Sequence, residues 1–172
     1  SVDELLSNEK SEKKQSNYIY ESRTEYDIDG KKNFDIKLGG AYAVDLKAYH
    51  GEKIEVAMFS NVYKNLLADY KVKIDDIKNR IDIDLNRFNE ASEADAKESL
   101  VITIFIPIKY IGKIELSVNA GTLNITDIEN EHIEVNGKIS EVTLQGNKSE
   151  IEIDSNLDMQ ISVLSHEGAL EI

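Results

Sequence analysis

The side chains in this chain able to bind or catalyse are mostly carboxylates. Asp and Glu number 33 against 20 Lys and Arg, with three His and no Cys. Asp82 and Asp84 flank Ile83 on one predicted strand, Asp75 and Asp76 lie just upstream, and Asp127, Glu129 and Glu131 cluster at a corner. Such oxygens suit Ca²⁺, which takes roughly six to eight oxygen ligands. Neither a D-x-D-x-D-G loop nor the G-G-x-G-x-D nonapeptide of calcium-binding β-rolls is present, so a solvated acidic exterior is expected. Glu115, Glu134 and Glu152 would stack about 4.8 Å apart on in-register strands. That is the scale of a glycosidase carboxylate pair, and also what the exterior of any stacked-strand protein produces. His50, His132 and His166 are isolated and near turns, with no H-x-x-x-H or H-x-H spacing, which predicts exposed corner histidines and no metal ligand set. There is no P-loop, no G-x-S-x-G and no Ser/His/Asp order. The eight tyrosines (18, 20, 26, 42, 49, 63, 70 and 110) crowd the first two-thirds. They suit either a cap over a stack end or an aromatic platform for carbohydrate. No catalytic, cofactor-binding or metal-binding residue is nominated, and the chain is read as a non-enzyme without a cofactor.

The formal net charge of −13 and pI near 4.7 repel nucleic acid and anionic headgroups, both of which need Lys and Arg for neutralisation. Hydrophobic residues make up 41% of the chain, too many for a disordered acidic segment, and Ile and Val dominate them, which favours strands. The lack of cysteine removes disulfides, thiolate catalysis and Cys-based zinc sites, and leaves the compartment open. With one Pro and nine Gly, Asn, Asp, Ser and Lys must make many of the turns. No run approaches the roughly 20 apolar residues of a membrane helix, and no signal peptide is visible.

Residues 1–16, SVDELLSNEKSEKKQS, are polar and lack apolar alternation. They read as a flexible linker, or as a stalk behind an upstream membrane anchor. From Tyr18 onward two-residue alternation takes over, for example Phe34–Ile36–Leu38, Ile54–Val56–Met58 and Ile102–Ile104–Ile106. Two segments interrupt it. Ser60–Asp69 is predicted to hold a helical turn, and Asn86–Ser99 a long, mobile acidic loop. The last sixty residues carry a stricter rhythm. Apolar triplets begin at Ile114, Leu123, Ile133, Val142, Ile151, Ile161 and Leu170, and the residue two places on is apolar each time. Turn-forming residues such as Asn136-Gly137-Lys138 separate them. A strand of a few residues plus a short corner cannot bury its apolar face alone, so successive units must stack and share one core, as in a β-solenoid. A meander of short hairpins is the competing arrangement. Spacing alone leaves open whether two or three steps complete a coil.

LVITIFIPIKYIGKIELSVNAGTLNITDI (Leu100–Ile128) resembles the signature of the bacterial putative adhesin family, a domain of unknown function in envelope-associated proteins. An alternating aliphatic strand is followed by a proline (Pro107), a Lys-Tyr corner (Lys109-Tyr110), and a strand ending in a turn of S-N-G-D-I type. That turn survives here in altered form at Asn119–Leu123 and His166–Leu170. Phe34–Met58 is similar to the family's opening strands. The resemblance spans residues 34–172 and implies a right-handed β-helix-like solenoid displayed outside the cytoplasmic membrane.

The resulting expectation is an all-β chain: residues 1–16 a flexible linker or stalk, 17–98 amino-terminal strands forming a cap or first coils, and 99–172 a β-solenoid of 9–10-residue steps, all of 17–172 being one elongated domain. Its expected role is that of a non-catalytic extracytoplasmic surface module, adhesin-like and tethered near the membrane. A polysaccharide-acting enzyme on a β-helix scaffold and an architectural, self-associating module are the alternatives. Carbohydrate or a surface protein is the expected partner, nucleic acid is not, and an open solenoid end could support homo-association.

Overall fold

The computed structural model describes residues 18–61, 64–87 and 93–172. Residues 1–16, read as a linker or stalk, fall outside the described residues. The chain is all-β, and its ten strands form one open sheet that bends around corners without closing into a barrel. The strands are β1 (Tyr20–Asp27), β2 (Lys32–Tyr49), β3 (Lys53–Ser60), β4 (Tyr70–Ile77), β5 (Arg80–Arg87), β6 (Val101–Pro107), β7 (Ile111–Thr126), β8 (Glu129–Ser155), β9 (Gln160–Glu167) and β10 (Leu170–Glu171).

The long strands explain the architecture. β2, β7 and β8 each contain two or more triplets, and the chain turns a corner between them, so one strand contributes to both walls of the molecule. On the first wall the order runs β4, β5, the leading halves of β2 and β7, the start and the end of β8, and finally β10. On the second it runs β1, β3, β6, the trailing halves of β2 and β7, the middle of β8, and β9. From β2 to β10 the contacts between successive passes are parallel. Ile114 stands beside Ile133, Leu123 beside Val142, Val142 beside Ile161 and Ile151 beside Leu170. Corner bonds such as Lys138 N–H to Asn119 Oδ1 (3.3 Å) join residues 19 apart. One coil is therefore two triplet steps, which the spacing alone left open.

Alternation decides what faces in. Ile114, Leu116, Leu123, Ile125, Ile133, Val135, Val142, Leu144, Ile151 and Ile153 are all buried, and they join Phe34, Ile36, Val44 and Leu46 of β2 in a single core. β2 thus stacks directly on β7 in the same register. Antiparallel pairs flank the stack on the amino-terminal side, β1 on β3 and β4 on β5. The final triplets depart from the pattern. Val163, Leu170 and Ile172 hold inward phase yet are exposed, because a coil's inner face is covered by the coil on its far side and theirs has a neighbour on one side only.

A helix at Lys64–Ala68 occupies the predicted helical turn and buries Leu66 and Leu67. The expected loop over Asn86–Ser99 needs correction. Its start belongs to β5, and its end is a helix, Glu93–Ser99, whose Ala96 is buried and whose carbonyl at Ala96 accepts the Leu100 N–H at 3.0 Å. Alanine and Leu100 anchor that helix on the core, a signal hidden by the surrounding charge. Residues 88–92 of the segment lie outside the described residues.

Candidate functional site

The middle residue of each triplet points outward, and parallel register lines those residues up. On the first wall Asp75 pairs with Asp82, Asp82 with Asp35, Asp35 with Glu115 and Glu115 with Glu134. Glu152 and Glu171 pair in turn, and together with Glu134 they line a shallow groove of about 250 Å³. Seven carboxylates thereby form one row across the wall. Asp82 and Asp84 flank Ile83 on β5 as expected, and across the sheet Asp84 stands between Lys73 and Lys37.

Among the described residues basic side chains attend the row at three places, the first being Lys73, whose Nζ lies 3.6 Å from Asp75. Arg80 Nε and Nη2 donate to Asp82 Oδ1 and Oδ2 at 2.6 and 3.1 Å. That hydrogen bonding, with the charges of Asp82, Asp35 and Glu115, lifts the guanidinium above its ordinary range. Further along, His132 Nε2 lies 3.2 Å from Glu152 and Nδ1 3.6 Å from Glu150. Of the three histidines, only His50 is the exposed corner residue expected; His132 and His166 are half-buried. Both ring nitrogens of His166 are shut off from solvent without a hydrogen-bond partner. Among the described residues no group of three or more His, Asp or Glu is placed to hold a metal ion. Asp127, Glu129 and Glu131 do not converge into a cage: Asp127 and Glu129 line a groove with His50 and Lys148, and Glu131 pairs with Lys113 at 3.7 Å.

On the second wall the middle row from β6 to β9 holds one carboxylate, Asp45, among neutral polar side chains. Asp45 accepts from Asn124 Nδ2 at 2.7 Å and Thr103 Oγ1 at 3.4 Å, and Thr143 and Ser162 continue the row. Tyr18 packs on Phe59 at 5.7 Å between ring centroids, and burial, followed by the nearby Asp45 charge, raises its phenol. The tyrosines divide by burial. Tyr49, against Phe105 at 5.3 Å, and Tyr70 are buried in structural roles, Tyr20, Tyr26 and Tyr110 pack against the core, and Tyr42 is 52% exposed. Tyr63 lies outside the described residues.

The corners hold what the sequence reading missed. At one of them Asn147, 2% exposed, accepts the Ile128 N–H (2.9 Å) and donates to the Ile125 carbonyl (2.8 Å). It reads in sequence as one more turn former, and only the coil register, which puts it under buried Ile128, marks it as internal. At the opposite corner a groove of about 320 Å³ gathers Lys97, Lys138, Asn119, Ser140 and Leu157 over a floor containing Ala41 and Gly121. Lys97 and Lys138 are far apart in the chain, so no motif announces them.

No protein-family model and no curated protein matches the chain. Solved structures do overlap it. A putative cell adhesion protein from Clostridium sporogenes aligns over 89% of this chain and 97% of its own, with TM-score 0.42 and 8% identity. A putative adhesin from Bacteroides fragilis aligns over the same shares, with TM-score 0.32 and 10% identity. The first is named for cell adhesion and the second as an adhesin, the word in the name of the family that the Leu100–Ile128 signature resembles. A putative lipid binding protein from Parabacteroides distasonis also overlaps, over 89% of this chain and 96% of its own, with TM-score 0.31 and 7% identity. At such scores the overlaps are too loose to carry activity from one protein to another.

Proposed function

We propose that this chain is a non-catalytic, adhesin-like binding module, displayed outside the cytoplasmic membrane, which engages carbohydrate through the outer surface of a right-handed β-helix-like stack. The observation that carries the reading is the shared register of the outward side chains. Single polar residues per coil become rows, of which the seven carboxylates are the longest. Rows on flat walls and in shallow corner grooves suit an extended partner with a repeating chemistry. Glycoside hydrolysis asks for something else: two carboxylates in contrasting environments, one holding a proton and one ionised. In the row each interior carboxylate has further carboxylates beside it, and none of the seven is buried. The polar stretch 1–16 and the resemblance over residues 34–172 support the extracytoplasmic, tethered setting. No helix among the described residues is long and apolar enough to cross a membrane.

A glycan array read alongside reducing-end release tests this reading. Retention of glycans without new reducing ends is expected, and release of product from a polysaccharide would replace the binding module with an enzyme. A self-associating architectural module is the second reading, favoured by Leu157, Val163 and Leu164, exposed on and just before the edge strand β9. Sedimentation velocity over a wide concentration range decides it, since a strictly monomeric species removes it.

A further inference from the structure

We propose that the corner groove between Lys97 and Lys138 is a subsite for the carboxylate of an acidic sugar. The inference rests on the carbohydrate-binding reading above and names the class of glycan. Its first ground is charge. In a chain of net charge −13, two lysines from separate elements, the helix Glu93–Ser99 and β8, line one depression. Neither takes an ion-pair partner among the described residues.

The second ground is the donor set. Asn119 accepts the Lys138 N–H through Oδ1 at 3.3 Å, which leaves its amide nitrogen to donate. With two ammonium groups and the Ser140 hydroxyl, the groove offers mainly donors, the complement of a carboxylate. The neighbouring Glu141 is engaged on the second wall by Thr122 Oγ1 at 3.3 Å.

The third ground is shape. Gly121, which lines the groove, lies where a Cβ would come within 2.9 Å of the Tyr42 carbonyl oxygen, so glycine lets the two backbones approach closely at this corner. Leu157 lines the groove and is 47% exposed, and it offers apolar surface for the C–H face of a sugar ring. An acidic peptide fits less well. The corner backbone is already paired, Gly40 with Asn119, Ala41 with Ala120 and Ala120 with Ile139, so no free strand edge is presented for β-addition.

Titration calorimetry on the full chain tests this with three probes of matched length: an oligogalacturonate, a neutral oligogalactose and a polyglutamate peptide. Lys97 and Lys138 are exposed, so K97Q and K138Q are expected to keep the wild-type circular dichroism. Each should weaken oligogalacturonate binding by about tenfold while leaving neutral-sugar binding unchanged. Equal binding of acidic and neutral sugars, indifferent to both substitutions, overturns the subsite and leaves the carbohydrate reading standing. Polyglutamate binding as tight as oligogalacturonate, with the same lysine dependence, overturns it in favour of an acidic protein partner. Binding of neither sugar overturns both readings.

Discussion

At the scale of single residues, the corners concentrate the consequences. Asn147 satisfies one N–H and one C=O of the coil beside it, so Asn147→Leu leaves two buried backbone groups unpaired. A loss of about 2–6 kcal/mol in urea unfolding is expected, from roughly 1–3 kcal/mol per unsatisfied group; a loss under about 0.5 kcal/mol would mean that water replaces both bonds. Gly137 adopts φ +145°, and a Cβ there would overlap the Val118 carbonyl oxygen of the adjacent coil. Gly137→Ala therefore strains both the turn and the stacking, and should destabilise far more than Gly30→Ala, where the space is open. Tyr49 has a pH signature. Burial, then the charges of Glu55 and Glu25, push its phenol up to about 12 from 10.0. The unfolded chain ionises first, so the neutral phenol's stabilisation is complete below pH 10 and lost as the pH rises to about 12. In Tyr49→Phe that part of the alkaline decline should vanish, as thermal unfolding between those limits would show.

At the scale of elements, the triplet is the unit that matters, and its two kinds of position should behave differently. Ile133 and Ile151 are fully buried, whereas Glu134 and Glu152 between them reach solvent. Ile133→Ala or Ile151→Ala is expected to cost about 2–5 kcal/mol. Glu134→Ala should cost little, since it also relieves repulsion along the carboxylate row. Equal small effects at both kinds of position in urea unfolding would contradict the inward and outward assignment. The triplets were legible from sequence because a two-residue period records which face is buried. The helix Glu93–Ser99 was not. Among its described side chains the apolar anchor is Ala96, with Leu100 just beyond its end, too few apolar residues to give seven positions a helical period.

At the scale of the whole molecule, self-repulsion is the dominant electrostatic term. Seven carboxylates share one wall and the net charge is −13. Salt shortens the screening distance from about 30 Å at 0.01 M to about 3 Å at 1 M. Adding sodium chloride over that range should raise the melting temperature, because relief of like-charge repulsion outweighs the weakening of exposed pairs such as Lys109–Glu52. A fall would show that ion pairs contribute more than the row costs.

The amino-acid sequence by itself determined the class of fold, the phase of every triplet from Ile114 onward and the outward acidic exterior. Each of these follows from local alternation and composition, which one strand carries without its neighbours. Tertiary structure alone decided the rest. Two steps rather than three close a coil, because the register between strands depends on how corners bend and not on how often apolar residues recur. The same register turned scattered Asp and Glu into a continuous row and put Asn147 inside. It also brought Lys97 to Lys138, two residues that share no motif and become neighbours only when a helix packs on β2 beside a corner of β8.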